Sequence, residues 1–462
     1  MGNRDHRFVN LNWMRGWASC CAIGFALACA PPEPARNLVF ISLDTTRADH
    51  MSLYGYERET TPWMDSFFAD GAVFENAVAQ FNTTVPTHTS MFTGVYPSTH
   101  GNRRNTGFPE KFVTLAEILS REGFRTGAAV SGYPLKYQSC KLNRGFEAYS
   151  SRFKGIRRDG SVTIDHGARW LESLGPDERF FLFIHLYDAH GPYRENHHLE
   201  SFQSEEPGAS LEFVPAYQRK GRKGGEKLMS ANAYVNRYDA QIRYQDELIE
   251  KLLAGVDKEK TLVLLTADHG ETLVEREKEW HFNHGHNLFL EQTRIPLALR
   301  GPRVPAGRFD NIVETVDFLP TILELMDIEA DGSLWEGATF APLFEDPAVK
   351  LRDELAFSSS DSRPAVWKSK NYVLDRWRKT HALESRRWKL IRYPGVEGDI
   401  LDLYNLESDP GETDPVTARY PDVAERMNAA LTTWLKGAAE ADAMPQDLES
   451  DLEALRALGY IN

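Results

Sequence analysis

The chain reads as an α/β protein: a large mixed, mostly parallel sheet flanked by helices, with a smaller C-terminal α+β subdomain. Three observations carry this expectation. The runs "NLVFISLD" (37–44), "RFFLFIHLYDAH" (179–190) and "KTLVLLTADHGE" (260–271) are continuously apolar but too short for typical helices; such runs are strands buried on both faces, as in a parallel sheet. Helical patterns lie between them, and strands alternating with helices make a layered α/β fold. Beyond about residue 346 the pattern changes to "RRWKLIRYP" and "DILDLYNL", which read as antiparallel strands.

The helices follow from their end signals. "TPWMDSFFADG" has Thr61 as N-cap, Pro62 at the first position and Gly71 as a stop. "TLAEILSREG" and "YDAQIRYQDELIEKLLAG" are amphipathic and end at glycine. "PDVAERMNAALTTWLKG" places Val423, Met427, Leu431 and Leu435 on one face, the core side of the C-terminal subdomain. Residues 198–232 form a polar insertion containing "QRKGRKGGEK". A solvated loop is the simpler reading of such a run, and a basic lid over an anionic substrate is the alternative.

Composition bounds the rest. The 462 residues suffice for one large domain plus a smaller one. A net charge of −14 argues against a nucleic-acid partner, which needs a basic face. Of the cysteines, Cys20, Cys21 and Cys29 fall in the N-terminal segment, so Cys140 is alone in the folded body and no internal disulfide is expected. Arg4, Arg7 and Arg15 precede the apolar run "WASCCAIGFALACA", short for a membrane span and suited to a signal-peptide core. "ALAC" before "APPEP" is a loose bacterial lipobox with Cys29 as the acylated residue; plain cleavage or an uncleaved anchor are the alternatives. The expected organisation is a signal peptide or lipobox at 1–29, a stiff linker at 30–36, a catalytic domain at 37–345, the α+β subdomain at 346–440 and a helical tail at 441–462. The expected location is the periplasm or, as a membrane-anchored lipoprotein, the envelope of a bacterium, with membrane contact only through the N-terminal lipid or signal anchor.

All three buried strands end in residues able to bind a metal: Asp44, then Asp188 and His190, then Asp268 and His269. Ligands of open α/β sheets bind beyond the carboxyl ends of the strands, so these groups are expected to converge. "WHFNHGHN" adds His281, His284 and His286. A single aspartate at a strand end is often only a turn former; three such ends with a histidine cluster point to a divalent metal, without distinguishing Ca, Mg, Mn and Zn. "PTHTSMFTG" reads as a short helix ending at Gly94, with Thr84 at its N-terminus. There a hydroxyl meets free amides and the positive end of the helix dipole, a place that favours an alkoxide and binds anionic esters. The plain alternative is that Thr84 is an N-cap and nothing more.

With these residues in place the chain resembles the sulfatase family of the alkaline phosphatase superfamily. The segment from "NLVFISLDTTRADH" to "TTPWMDSFF" is similar to the family's opening strand, metal aspartate and "TP-x-x-D" helix. "TGVYPSTHG", "HLYDAHGPY", "TADHGE", "HGHNLFLEQTRIPLALRGP", "ILDLYNLESDPGE" and "LEALRALGYI" resemble later family segments in the same order, over about residues 37–462. The resemblance implies that Asp44, Asp268 and His269 bind metal. It places Thr84 where sulfatases carry the Cys or Ser oxidised to formylglycine. It makes His190 a substrate-contacting or second-metal histidine, puts His286 at the position of an active-site Lys, and aligns His284 with a metal histidine of the phosphodiesterase branch.

The departures matter. Thr84 cannot become formylglycine, His88 replaces the Arg of "C-x-P-x-R", and "AAVSGYPL" stands where the family has "GK-x-H". "T-x-P-x-H" resembles the threonine-nucleophile segment of nucleotide pyrophosphatase/phosphodiesterases. The implied activity is metal-dependent hydrolysis of anionic phosphate, phosphonate or sulfate esters, on a small-molecule, glycan or lipid substrate, with Thr84 both nucleophile and metal ligand and with catalytic His190 and His286. The alternatives are a sulfuric ester hydrolase working without formylglycine, and a non-catalytic glycan-binding envelope lipoprotein. For location, Cys29→Ser should move the protein from the membrane to the soluble periplasmic fraction; a mutant that stays membrane-bound contradicts the lipobox.

Overall fold

The computed structural model describes residues 33–102, 107–203, 208–211, 214, 218, 230–276, 281–351, 354–361, 379–395 and 397–440. The 1–29 segment, residues 30–32 of the linker, much of the 198–232 insertion and the 441–462 tail lie outside the described residues. The chain divides into a unit Met1–Glu33 and a unit Pro34–Asn462, and the fold below is that of the second.

Eight strands form the main sheet: β1 (Asn37–Leu43), β2 (Ala72–Val78), β3 (Arg125–Val130), β4 (Ala148–Ser150), β5 (Phe180–Leu186), β6 (Thr261–Thr266), β7 (Arg294–Arg300) and β8 (Gly307–Glu314), in the order β4-β3-β5-β1-β6-β7-β2-β8. Only β7 is antiparallel to its neighbours β6 and β2. The sheet is therefore mixed and mostly parallel, as the apolar runs predict. β1 lies at its centre, paired in parallel with β5 and β6.

Period two along these strands builds two cores. Leu38 and Phe40 of β1, Phe181 and Phe183 of β5, and Leu262 and Leu264 of β6 face one side. There they meet Met91 and Phe92 of the helix Thr84–Thr93 and Phe318 and Leu319 of the helix Phe318–Leu325. Phe40 and Phe92 stack at 5.6 Å. Val39, Ile41, Leu43, Leu182, Ile184, Val263 and Leu265 face the other side, against Tyr238, Ile242 and Ile249 of the long helix Ala231–Leu253. That helix begins well before "YDAQ", inside the stretch read as a polar insertion; Ala231 and Tyr234 are buried and extend its apolar face.

The second sheet is antiparallel, in the order β12-β11-β10-β9, built from β9 (Ala356–Asp361), β10 (Lys379–Glu384), β11 (Trp388–Tyr393) and β12 (Ile400–Asn405). The helix Pro421–Glu440 covers it with Val423, Met427 and Leu431 buried; Leu435 is only partly buried, and Trp434 takes the core position one residue earlier. A 3.6-residue period drifts off a strict four-residue spacing, which explains the exchange. A parallel bridge between Phe81 and Ser359 joins this sheet to the chain just before Thr84.

Lys389 of β11 is buried between two carboxylates, 3.2 Å from both Glu384 and Glu412, and donates to Thr293 Oγ1 at 3.1 Å. Burial pushes the Glu384 carboxyl up, but Lys389 and Arg294 more than offset it and hold it below its usual range. Burial raises Glu412 to about 7 despite Lys389. One ammonium thus serves two acids. Lys389→Met should destabilise the fold by about 3–5 kcal/mol at neutral pH, because it strands buried charge. The two carboxyls would then titrate higher in the folded than in the unfolded chain, so the deficit should shrink as pH falls to about 5. Denaturant unfolding at the two pH values checks both statements.

Candidate active site

Asp44 directly follows β1, and its N–H donates to Leu186 O at 2.8 Å, prolonging the β1–β5 ladder by one residue. Asp268 lies two residues beyond β6. Because β1 and β6 are neighbours, the two carboxylates come together past the same sheet edge. The ligand-capable atoms of Asp44, Asp268 and His269 all lie within 4.8 Å of one another, and all three residues are fully buried. Thr45 helps to set this corner: its φ of +58 is a left-handed conformation costly for a β-branched residue, and its N–H reaches Asp268 Oδ1 at 3.3 Å.

The electrostatics leave a demand for a cation. Asp44 Oδ1, Asp268 Oδ2 and His269 Nε2 are buried with no hydrogen-bond partner. His269 Nδ1 donates to Gly270 O at 2.9 Å, which puts the ring's lone pair on Nε2. Burial pushes Asp44 up to about 6, and burial together with the Asp44 charge raises Asp268. Two oxygens and one imidazole nitrogen, all unsatisfied and converging, fit a divalent cation.

Thr84 opens the buried helix Thr84–Thr93, which stops at Gly94 in the left-handed conformation that favours glycine. Thr83, not Thr84, holds the N-cap position, and no side-chain cap bond is made there. The Thr84 hydroxyl instead donates to Asp44 Oδ2 at 3.2 Å. Its neighbours in the first helical turn have backbone amides without intrahelical acceptors, except Pro86, which has none to satisfy.

Two histidines beneath the carboxylates are neutral. His88, one turn after Thr84, donates from Nδ1 to Thr84 O at 2.8 Å and accepts the Ser42 hydroxyl on Nε2 at 3.0 Å. Ser42 points there because period two places it after Phe40 on the same face of β1. His88, His185 and Asp268 also form a ligand-capable trio, but both His88 nitrogens are already used. His185 Nε2 lies 3.1 Å from Asp44 Oδ2 and donates to it. Burial lowers both imidazoles to about 4.

The remaining predicted residues divide. β5 ends at Leu186, and from there Asp188 turns to the start of the helix Gly160–Glu172, where its Oδ1 accepts the Gly160 N–H at 3.1 Å. It binds the start of that helix beside the N-cap Asp159 and is not one of the Asp44, Asp268 and His269 trio. His190 stacks on Tyr187 at 4.1 Å and meets His284 edge-on at 5.0 Å, while His284 packs on His269 at 4.4 Å. His284 Nδ1 pairs with Glu271 Oε1 at 3.0 Å, and Glu271 Oε2 accepts the Tyr193 hydroxyl at 3.0 Å. Burial raises Glu271 to about 8. His284 thus joins the cluster through its ring contact with His269, outside the converging trio. His286 is buried in the same loop, whose Gly285, at φ +76, lies against Thr83. His281 donates from Nε2 to Arg276 O at 2.9 Å, away from this chain of rings.

Sequence reading missed His185, Glu271 and Gln292. Gln292 Oε1 accepts from Asn82 at 3.0 Å and from Gly285 N at 3.1 Å, tying the His284–His286 loop to the residue two before Thr84. Period two could have found His185, since it shares a face with Phe181 and Phe183. Glu271 stands in the quoted "TADHGE", but its contact with a histidine thirteen positions later has no local signal.

This geometry has close company. Residues 36–328 match the family profile described as Sulfatase, and residues 278–437 match that of N-sulphoglucosamine sulphohydrolase, C-terminal. The chain belongs to the sulfatase family, and it is an ester-hydrolysing enzyme. It is 21% identical to arylsulfatase K of Xenopus laevis over 88% of this chain and 83% of that one. It is 23% identical to an ulvan-active sulfatase of Formosa agariphila over 89% and 82%. Similar solved structures include a protein in complex with its substrate D-glucosamine-2-N,6-O-disulfate (TM-score 0.71, 18% identity, 90% of this chain and 100% of that chain). Another is the phosphonate monoester hydrolase of Agrobacterium radiobacter (TM-score 0.68, 18% identity, 88% and 96%). Members of the family generally bind a divalent metal, in keeping with the unsatisfied trio.

Asp268→Ala should lose bound divalent metal while keeping the wild-type circular dichroism spectrum. Full metal occupancy in that variant by elemental analysis would exclude the trio as the metal centre.

Proposed function

We propose that the protein hydrolyses phosphate or phosphonate esters of an anionic substrate with Thr84 as the direct nucleophile. The observation that carries this reading is the Thr84 hydroxyl. It is buried at the first position of its helix, has no capping duty, and lies 3.2 Å from Asp44 Oδ2 beside the Asp44–Asp268–His269 trio.

Asp44, Asp268 and His269 would hold the divalent cation, with Thr84 and His284 as further ligands on its borders. When bound, that cation supplies Lewis acidity, which lowers hydroxyl pKa values and neutralises charge on the transferred group. Thr84 Oγ passes its proton to Asp44 Oδ2, which already accepts it at 3.2 Å, and forms a bond to phosphorus as the bond to the ester oxygen breaks; the leaving alcohol takes a proton from His286 or His284. His190 and the first helix amides face the charge that develops on the non-bridging oxygens. Water then attacks the same phosphorus and gives one proton to the histidine, while Thr84 Oγ departs and retakes its proton from Asp44. The sum is ester plus water giving alcohol plus the anion.

Sulfate esters are the second reading, favoured by the relatives named as sulfatases. A threonyl sulfate has no gem-diol route and needs a second attack at sulfur, which is why phosphorus esters stand first here. The anionic groups of glycans or lipids are the proposed substrates, and the bacterial envelope the proposed location.

Loss of a nucleophile costs orders of magnitude in rate, far beyond the roughly 1 kcal/mol of a lost cap. Thr84→Ala should therefore lower kcat by at least about 10³, and Thr84→Ser should keep part of it. The assay is a panel of aryl phosphate, phosphodiester, phosphonate and sulfate esters, each run with several divalent metals. Near wild-type turnover by Thr84→Ala would rule out the threonine as nucleophile.

A further inference from the structure

Away from the catalytic crevice, His197, His198 and Glu247 form a second ligand-capable trio. The two histidine Nε2 atoms converge on one oxygen: His197 lies 2.8 Å and His198 2.9 Å from Glu247 Oε2. The rings lie close together, tilted by 43° with centroids 4.1 Å apart. Like most adjacent residues, neighbouring histidines usually diverge, so their convergence on one acceptor is a built feature of this corner.

Both halves of the cluster are fixed independently. Glu247 is on the long helix Ala231–Leu253. The histidines follow Asn196, which donates to Ala240 O at 2.8 Å and accepts the His198 N–H at 2.9 Å. Gln241 Nε2 reaches Arg194 O at 2.7 Å on the same helix face. The backbone is therefore held before the three side chains meet, which lowers the ordering cost of a ligand.

We propose that His197, His198 and Glu247 bind a zinc ion at a site separate from the catalytic crevice. Two imidazoles and one carboxylate are a borderline donor set that suits Zn²⁺, with water completing a tetrahedron. Zinc holds such atoms at about 2.0–2.2 Å, which sets donor separations of roughly 3.3 Å. The present spacing must open by roughly 0.5 Å for that geometry. The His197 and Glu247 side chains are 59% and 47% exposed and have room to move. Burial lowers the pKa of His198, which keeps its ring neutral and able to ligate.

The site would clip the segment that leaves the crevice to the long helix. Tyr193, at the inner end of that segment, holds Glu271 and through it His284. Zinc at the outer end would fix the same stretch from the opposite side and stabilise the folded state by mass action.

The test is equilibrium dialysis of the full protein against micromolar zinc chloride, with zinc counted by elemental analysis and thermal melting followed in parallel. Wild type should bind one zinc more than the His197→Ala/His198→Ala double variant. Glu247→Gln should weaken that zinc at least tenfold, and Asp268→Ala, altered only in the crevice, should retain it. Zinc should raise the melting temperature of wild type more than that of the double variant. Equal zinc content in wild type and double variant overturns the proposal, as does loss of this zinc in Asp268→Ala.

Discussion

Two carboxylates held side by side in a buried corner set the terms for this molecule. Asp44 and Asp268 emerge from neighbouring strands into a fully buried corner. At about 4 Å and an effective dielectric near 20, two such charges repel by about 4 kcal/mol. His269 and the Thr84 hydroxyl only partly offset burial at Asp44, and His269, His88 and His185 only partly offset burial and the Asp44 charge at Asp268. The histidines below, His88 and His185, are neutral and engaged with Thr84, Ser42 and Asp44. A divalent cation is the group that relieves the repulsion and satisfies Asp44 Oδ1, Asp268 Oδ2 and His269 Nε2 at once.

The scaffold keeps that tension in place. Seven central-sheet strands running one way bring the strand ends to one edge, and the apolar face below them seats the Thr84 helix through the Phe40–Phe92 stack. The same alternation that buries Phe40 aims Ser42 at His88, and His88 in turn holds the carbonyl of Thr84. The position of Thr84 thus depends on strand periodicity as much as on its own helix. The antiparallel sheet contributes from outside: β9 bridges to Phe81, and Glu412 receives the Leu290 amide beside the histidine loop.

Much of this was legible in the sequence. Continuous apolar runs disclosed β1, β5 and β6, and the polar residues after them disclosed Asp44, Asp268 and His269. The Thr84 helix was readable from Pro86 and Gly94. Strands such as β2, β7 and β8 carried weaker patterns and are defined by pairing with distant chain; β9 and β10 were not seen, although β10 pairs with β11 across a short turn, because "KTHALE" has little apolar alternation. Asp188 looked like a ligand because it follows a buried strand, yet that strand ends two residues earlier and the chain turns it towards Gly160. His185 was hidden inside an apolar run, where a histidine reads as core. The Glu271–His284 and Gln292–Gly285 contacts are tertiary and leave no periodic trace.

In the proposed reaction an ordinary threonine does the work that resembling enzymes assign to formylglycine. Mass spectrometry of enzyme quenched during turnover of a slow aryl ester tests it most directly. The account predicts an unoxidised Thr84 carrying a transient phosphoryl, phosphonyl or sulfuryl group that disappears when substrate is exhausted. A peptide spanning Thr84 that stays unmodified throughout single-turnover experiments, while product forms at the full rate, would contradict it.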